Sequence, residues 1–197
     1  ALIERDSVLA REVIHQDCQI DELDEEIEER CIRLLALRQP AARDLRFITT
    51  AIKINGHLER IGDMAVKICE KVLQLNEQPQ LKPYIDVPRM AEISRSMIRG
   101  SLDSLVNEDL GLAHKVRKED DTVDNLNEQI FRELLTFMIQ DPRTIHRAIL
   151  IMQISKTMER ISDHAKGMAD MIVYMITGKS VRHDPCAPDP EPAVEVP

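Results

Sequence analysis

The chain has 197 residues, of which 43% are hydrophobic and 31% charged, a balance that is typical of a globular protein of one or two domains. Aromatic residues account for only 3% and there are 6 glycines, which argues against an all-β fold. The net charge of −9 argues against the basic surface that nucleic-acid binding needs. No apolar run is long enough to span a membrane, so we expect no direct membrane insertion.

Apolar residues recur at steps of three and four along most of the chain, which predicts an all-α fold. The predicted helices span residues 6–37, 42–75, 88–106, 109–139 and 143–178. Pro40 separates the first two helices. Asp141 and Pro142 are predicted to open the last helix as its N-cap and first turn, and Gly178 is predicted to end it.

Two segments of the chain repeat each other. The string LERIGDMAVKI from Leu58 returns as MERISDHAKGM from Met158, an offset of 100, and Asp17 matches Asp120 at an offset of 103. The repeat predicts two tandem pseudo-symmetric three-helix bundles. The predicted boundaries are repeat one at 1–78, a proline-rich linker at 79–87, repeat two at 88–179 and a disordered acidic tail at 180–197.

The helix predicted at 88–106 has no counterpart in repeat one, because the equivalent residues would precede residue 1. Either repeat one has two helices, or roughly 20–25 residues of the native N-terminus are absent, judged from ordinary helix length. We favour the second alternative, because a two-helix hairpin leaves an apolar stripe uncovered. A second copy of the chain could cover that stripe, so we expect a homodimer.

Carboxylates recur at positions i and i+4 in both repeats, which places each pair on one helix face. The pairs are Asp17/Asp21, Glu59/Asp63, Asp120/Asp124 and Glu159/Asp163. Like charges at this spacing repel, and a bound cation would compensate them. Two antiparallel helices would bring four carboxylates around one site, whose hard oxygen ligands suit Mg²⁺, Mn²⁺, Ca²⁺ or iron better than structural zinc.

The same acids fit a second interpretation, as solvated charge, because Glu59 and Asp63 lie opposite the apolar stripe of their helix. Their repetition favours a metal site, which we expect to be exposed on the surface. A Glu-x-x-His di-iron motif is absent, since Gly62 and Ser162 stand where its histidines would be. His164 has no histidine counterpart in repeat one, so we interpret it as incidental.

These strings resemble the signature of the PhoU family of phosphate-signalling regulators. The resemblance rests on the segments Arg38–Arg46, Leu58–Cys69, Asp141–Ile145, Met158–Ala169 and Gly178–His183. It implies two three-helix bundles in a protein that represses phosphate uptake when phosphate is plentiful. It also implies two partners, the ATPase subunit of the phosphate ABC transporter and a membrane sensor histidine kinase, which the family is thought to bridge.

The resemblance further implies that metal ions bind the acidic motifs, with iron as the first choice and manganese, magnesium or zinc as alternatives. The implied ligands are Asp17, Asp21, Asp24, Glu59 and Asp63 in repeat one and Asp120, Asp124, Glu159 and Asp163 in repeat two. Because Asp24 has Asn127 as its counterpart, the two sites need not be equal.

We therefore expect a non-enzymatic negative regulator of phosphate uptake and signalling, located in the cytoplasm and reaching the inner membrane only through its partners. The cysteines fit this compartment, because Cys18, Cys31, Cys69 and Cys186 lack metal-binding spacing and are expected to be reduced thiols. Two alternatives remain. One is a metal-dependent hydrolase or oxidase that uses the carboxylates, and the other is a helical docking module without metal.

Overall fold

The computed structural model describes residues 1–181, and this part of the chain contains five α-helices, one 3₁₀ turn and no strand. The helices are α1 (Ser7–Arg38), α2 (Ala42–Asn76), α3 (Asp86–Asn107), α4 (Leu110–Gln140) and α5 (Ile145–Thr177). The all-α prediction is confirmed, and each predicted helix end lies within about two residues of the observed one, the usual uncertainty of such assignments. The tail predicted to be disordered lies, from residue 182 onward, outside the described residues.

Side-chain caps explain where several helices begin and end. Asp6 accepts hydrogen bonds from the first backbone amides of α1, and Asp109, its counterpart in repeat two, does the same for α4. Asp141 caps the 3₁₀ turn Pro142–Thr144, which leads directly into α5. Gly178 ends α5 in the left-handed conformation with φ of 73°, where glycine avoids the strain of a Cβ atom.

The two repeats are joined along one pair of helices. In repeat one, α1 packs against α2, and in repeat two α3, α4 and α5 pack against one another. Helix α2 also packs against α5 and so connects the repeats. The most enclosed part of the core lies in repeat two, where Met90, Met97, Ile130, Ile154 and Met168 are fully buried.

One face of α1 is uncovered. Ile20, Leu23 and Ile27 are 37%, 55% and 37% exposed, whereas their counterparts Val123, Leu126 and Ile130 are 0%, 5% and 0% exposed. The reason is α3, which packs against α4 in repeat two and has no equivalent among the described helices of repeat one.

The proline-rich segment between α2 and α3 is fastened to repeat two. Lys82 is buried, and its ammonium group pairs with Glu133 of α4. Nη1 of Arg147 in α5 donates to the carbonyl of Pro79 at 3.0 Å. The segment predicted as a linker is therefore packed against the second bundle.

Candidate metal centres

All five predicted acids of repeat one lie in a single cluster between α1 and α2. Burial raises the pKa of Asp17, and the carboxylates of Asp21 and Asp63 raise it further. The pKa of Glu59 is raised first by burial and then by Asp63, Asp24 and Asp21. These shifts place the acids of α1 within electrostatic range of those of α2. Among residues 1–181, however, no three of these five acids bring ligand oxygens within 4.8 Å of one another.

The repeat-one cluster is open to solvent, as expected. Asp21 and Asp63 are exposed, whereas Asp17, Asp24 and Glu59 are partly buried. Lys67 approaches Asp63 from the same helix at 3.5 Å, but its side chain is 60% exposed. An exposed pair of this kind is weak, and the five acids of the cluster outnumber this one lysine, so the cluster stays negative.

A glycine lies directly beneath this cluster. A Cβ atom at Gly62 would lie 2.9 Å from Oδ1 of Asp17 and 3.0 Å from Cδ1 of Ile20. Both neighbours belong to α1, so the absence of a side chain at Gly62 leaves the space into which the first ligand of the cluster projects.

The four predicted acids of repeat two also form one cluster, between α4 and α5. Burial raises the pKa of Asp124, and Asp120, Glu159 and Asp163 add to the shift. The pKa of Asp163 is raised by burial, then by Asp120 and Glu159.

Repeat two departs from the expected exposed site at Asp120, which is only 1% exposed. Its Oδ1 atom is buried and accepts no hydrogen bond within the described residues. A buried carboxylate oxygen without a donor is costly, and a metal ion is one group that would satisfy it.

Two lysines of α5 lie in the repeat-two cluster. Nζ of Lys166 donates to Oδ2 of Asp120 at 2.5 Å, and the ammonium group of Lys156 pairs with Glu159. The hydrogen bond to Asp120 is the main reason that the pKa of Lys166 is raised. Sequence comparison of the repeats passed over these lysines, because only residues shared by both repeats were considered.

A fourth aspartate of repeat two, Asp121, was not predicted. One oxygen from each of Asp120, Asp121 and Asp124 lies within 4.8 Å of the others, the only such convergence of three potential ligands within residues 1–181. Cys18 is the counterpart of Asp121, so the repeat gave no signal there. The one signal in the sequence for Asp121 as a ligand is its position next to Asp120.

His164 has a partner that its sequence position did not indicate. Its Nδ1 atom lies 2.8 Å from Nδ1 of His57, across the α2–α5 interface, and the rings meet edge to face. Burial lowers the pKa of His164, with Arg60 and Arg160 contributing, so the neutral ring is favoured. Gly167 leaves room for His57, since a Cβ there would lie 3.1 Å from its ring. The pair belongs to the interface between the repeats.

The donor set of both clusters fits a hard cation. All the candidate ligands are carboxylates from two facing helices, the chemistry preferred by Mg²⁺, Mn²⁺ and Ca²⁺ and compatible with iron. Asp120, with its buried oxygen lacking a donor, supports the fit in repeat two. The residues that would hold the metal are the predicted acids, to which the structure adds Asp121. Metal binding by them stays a prediction.

Comparison with known proteins confirms the family resemblance seen in the sequence. The family sequence model of the PhoU domain matches residues 1–72 and 87–172, which is most of the chain. The chain belongs to the PhoU family. Proteins named phosphate-specific transport system accessory protein PhoU homolog are similar to it. The one from Aquifex aeolicus is 45% identical, over 93% of this chain and 83% of its own length. The one from Pseudomonas putida is 41% identical, over 93% of this chain and 72% of its own length.

Two crystal structures of PhoU proteins share the fold. PhoU from Pseudomonas aeruginosa has a TM-score of 0.86 at 39% identity, with 90% of this chain and 86% of that chain covered. The phosphate transport system regulatory protein PhoU from Streptococcus pneumoniae has a TM-score of 0.84 at 28% identity, with 92% and 85% covered. The PhoU family consists of accessory and regulatory proteins, so this chain is not an enzyme. None of its described helices is long and apolar enough to cross a membrane.

Proposed function

We propose that this PhoU family protein is a negative regulator of phosphate transport that acts as a metal-binding helical adaptor. The names of its relatives support the role in phosphate transport. The observation that carries the metal-binding part is the convergence of Asp120, Asp121 and Asp124 in repeat two, where a buried oxygen of Asp120 has no hydrogen-bond donor. Iron is our first choice of metal, with manganese, magnesium and zinc as alternatives.

The two repeats suit an adaptor with two partners. We infer that one partner is the ATPase subunit of the phosphate transporter and the other is the sensor histidine kinase, and that the protein meets both in the cytoplasm. A bound cation would replace repulsion between the acids by ligation, which would stabilise the packing of α1 on α2 and of α4 on α5. The exposed stripe of α1 at Ile20, Leu23 and Ile27 supports a homodimer through that face.

Metal content tests the first part of the proposal. We expect the protein, purified without a metal-affinity tag or chelator, to contain stoichiometric metal by elemental analysis. The pair Glu59→Gln/Asp63→Asn should lose the repeat-one metal, and Asp124→Asn/Asp163→Asn the repeat-two metal. The matched control Glu12→Gln/Glu70→Gln removes two exposed charges from α1 and α2 outside the cluster and should keep the wild-type content. Absence of metal, with no uptake on titration, would contradict metal binding.

Phosphate uptake tests the regulatory part. In cells that lack their own copy of the protein and grow with abundant phosphate, we expect the wild-type chain to restore low phosphate uptake. The two carboxylate double variants should fail to do so at equal protein levels, and should bind less of the purified ATPase subunit and kinase domain. If the variants restore low uptake without metal, the alternative of a metal-free docking module is favoured instead.

A further inference from the structure

The two acidic clusters differ in the lysines that accompany them. In repeat two, Nζ of Lys166 lies 2.5 Å from Oδ2 of Asp120, a carboxylate whose side chain is 2% exposed. The counterpart of Lys166 in repeat one is Val66, and the counterpart of Lys156 is Gly56. Repeat one therefore carries no lysine at either position.

The buried position of Asp120 decides what Lys166 does. A carboxylate removed from water is costly unless a cation accompanies it. Lys166 supplies that cation in the absence of metal, and its side chain is still 39% exposed, so the ammonium group has a path to solvent. A lysine is a point charge on a flexible four-carbon stem, and can leave a site without moving the backbone.

We propose that Lys166 is a tethered competitor for the cation of repeat two, so that the two sites bind the same metal with unequal affinity. This inference rests on the proposed metal-binding function. In repeat one the metal meets only Lys67, a weaker rival that pairs with the exposed Asp63 at 3.5 Å and is itself 60% exposed, so the metal stays bound at low free metal. In repeat two the metal must displace Lys166 from Asp120, so this site fills only when free metal is higher. Repeat one is then the permanent site and repeat two the one whose occupancy follows metal supply.

The affinity of repeat two can be measured alone when Glu59→Gln/Asp63→Asn has disabled repeat one. In this background we expect calorimetric titration with Mn²⁺ to show binding that tightens by about tenfold or more when Lys166→Met removes the competing charge, since a buried ion pair must otherwise be broken. Lys179→Met is the control, because it removes the same charge from an exposed position just beyond the end of α5 and should leave the affinity unchanged.

The reciprocal change tests the same idea in repeat one. With repeat two disabled by Asp124→Asn/Asp163→Asn, we expect Val66→Lys to place an ammonium group beside Asp17, the counterpart of Asp120, and to weaken Mn²⁺ binding by about tenfold. Circular dichroism confirms that each variant is folded.

A readout independent of affinity guards against misfolding. Without metal, Lys166→Met leaves the buried carboxylate of Asp120 unpaired. The melting temperature of this variant should therefore fall below that of the wild-type protein. Saturating Mn²⁺ should remove the difference. A lowered melting temperature that Mn²⁺ does not restore would contradict the exchange of lysine for metal.

The outcomes separate this inference from the proposed function. Mn²⁺ bound at both sites with affinities that neither Lys166→Met nor Val66→Lys changes would overturn the inference and leave the metal-binding function intact. No Mn²⁺ binding in wild type or any variant would overturn both.

Discussion

The absence of a Cβ atom at Gly62 allows the repeat-one cluster to form. The missing Cβ leaves room for Oδ1 of Asp17, and the cluster depends on that carboxylate reaching toward α2. Gly56, one and a half turns earlier on the same helix, has no atom within 4 Å of where its Cβ would lie. The two glycines therefore form a natural pair for comparison.

We expect Gly62→Ala to weaken metal binding in repeat one, because the new methyl group must push the Asp17 carboxylate aside. Its effect on the free energy of unfolding should be within about 1 kcal/mol, since the gain in helix propensity offsets the displacement. Gly56→Ala should stabilise the protein by about 0.5–1 kcal/mol and leave metal affinity unchanged. Metal titration and urea unfolding of both variants check this. Equal metal affinities would contradict the role given to Gly62.

The thiols provide a second test at this scale. Burial raises the pKa of Cys31 and Cys69, whereas Cys18 is exposed. A thiol with a raised pKa holds less reactive thiolate at a given pH. In a Cys186→Ser background, a thiol reagent at mildly alkaline pH should label Cys18 rapidly, and Cys31 and Cys69 only slowly until the protein is unfolded. Mass spectrometry of the labelled peptides measures this. Rapid labelling of Cys69 in the folded protein would contradict its burial.

Eight of the nine predicted acids are shared by both repeats, Asp24 being the exception, and the criterion of sharing concealed other residues that differ. Asp121 and Lys166 are present in one repeat only, so a comparison of repeats discards them. Asp120 was expected to be exposed, because the position of an acid on a single helix does not reveal that a second helix covers its flank. Only the packing of α4 on α5 shows that this aspartate is buried.

At the scale of elements, the helices were the most predictable feature. Asp141 and Pro142 before the last helix and Gly178 at its end are local signals, and each acts where it was expected. The caps Asp6 and Asp109 were not predicted. The segment before α3 was less predictable, because its prolines indicate a linker whereas its attachment depends on distant residues such as Glu133 and Arg147.

The uncovered face of α1 makes equivalent residues unequal in stability. Ile27 and Ile130 occupy the same repeat position, but the first is 37% exposed and the second fully buried. We expect Ile130→Ala to cost about 2–5 kcal/mol, since it creates a cavity beneath α3. In dilute solution, where the proposed homodimer is dissociated, Ile27→Ala should cost about 1 kcal/mol or less.

Urea unfolding of the 197-residue chain measures both free energies. Ile32→Ala on the polar side of α1 is a control, because Ile32 is 54% exposed. If Ile27→Ala destabilised the chain as strongly as Ile130→Ala, another copy of the chain would have to cover that face in solution. Analytical ultracentrifugation would then detect the dimer.

At the scale of the whole molecule, the α2–α5 interface determines whether the repeats behave as one body. No local pattern predicted this contact, because the facing residues His57 and His164 are far apart in sequence and lack a shared motif. Arg46 of α2 adds a second tie, since its Nε donates to the carbonyl of Met175 in α5 at 3.2 Å.

We expect His57→Ala to lower the free energy of unfolding by about 1–2 kcal/mol, because His164 loses the hydrogen bond that accompanies its partial burial. His146→Ala, an exposed position on α5, should change it by less than about 0.5 kcal/mol. Urea unfolding, with metal removed so that binding does not contribute, measures both. If the two variants unfold at the same urea concentration, the histidine pair contributes nothing to the interface.

Helix α2 is long, and the acidic cluster lies at its midpoint. Its 35 residues make a rod of about 52 Å at the usual rise per residue, and Glu59 lies at the midpoint. Asp163 and Glu159 likewise flank the midpoint of α5. A cation held there would lie at the point about which the helix tilts. A tilt of about 5° would move each end of α2 by about 2 Å. Arg46 links the start of α2 to the end of α5, so the two helices would tilt together. A small change of metal coordination at their midpoints would then displace the far ends of both helices.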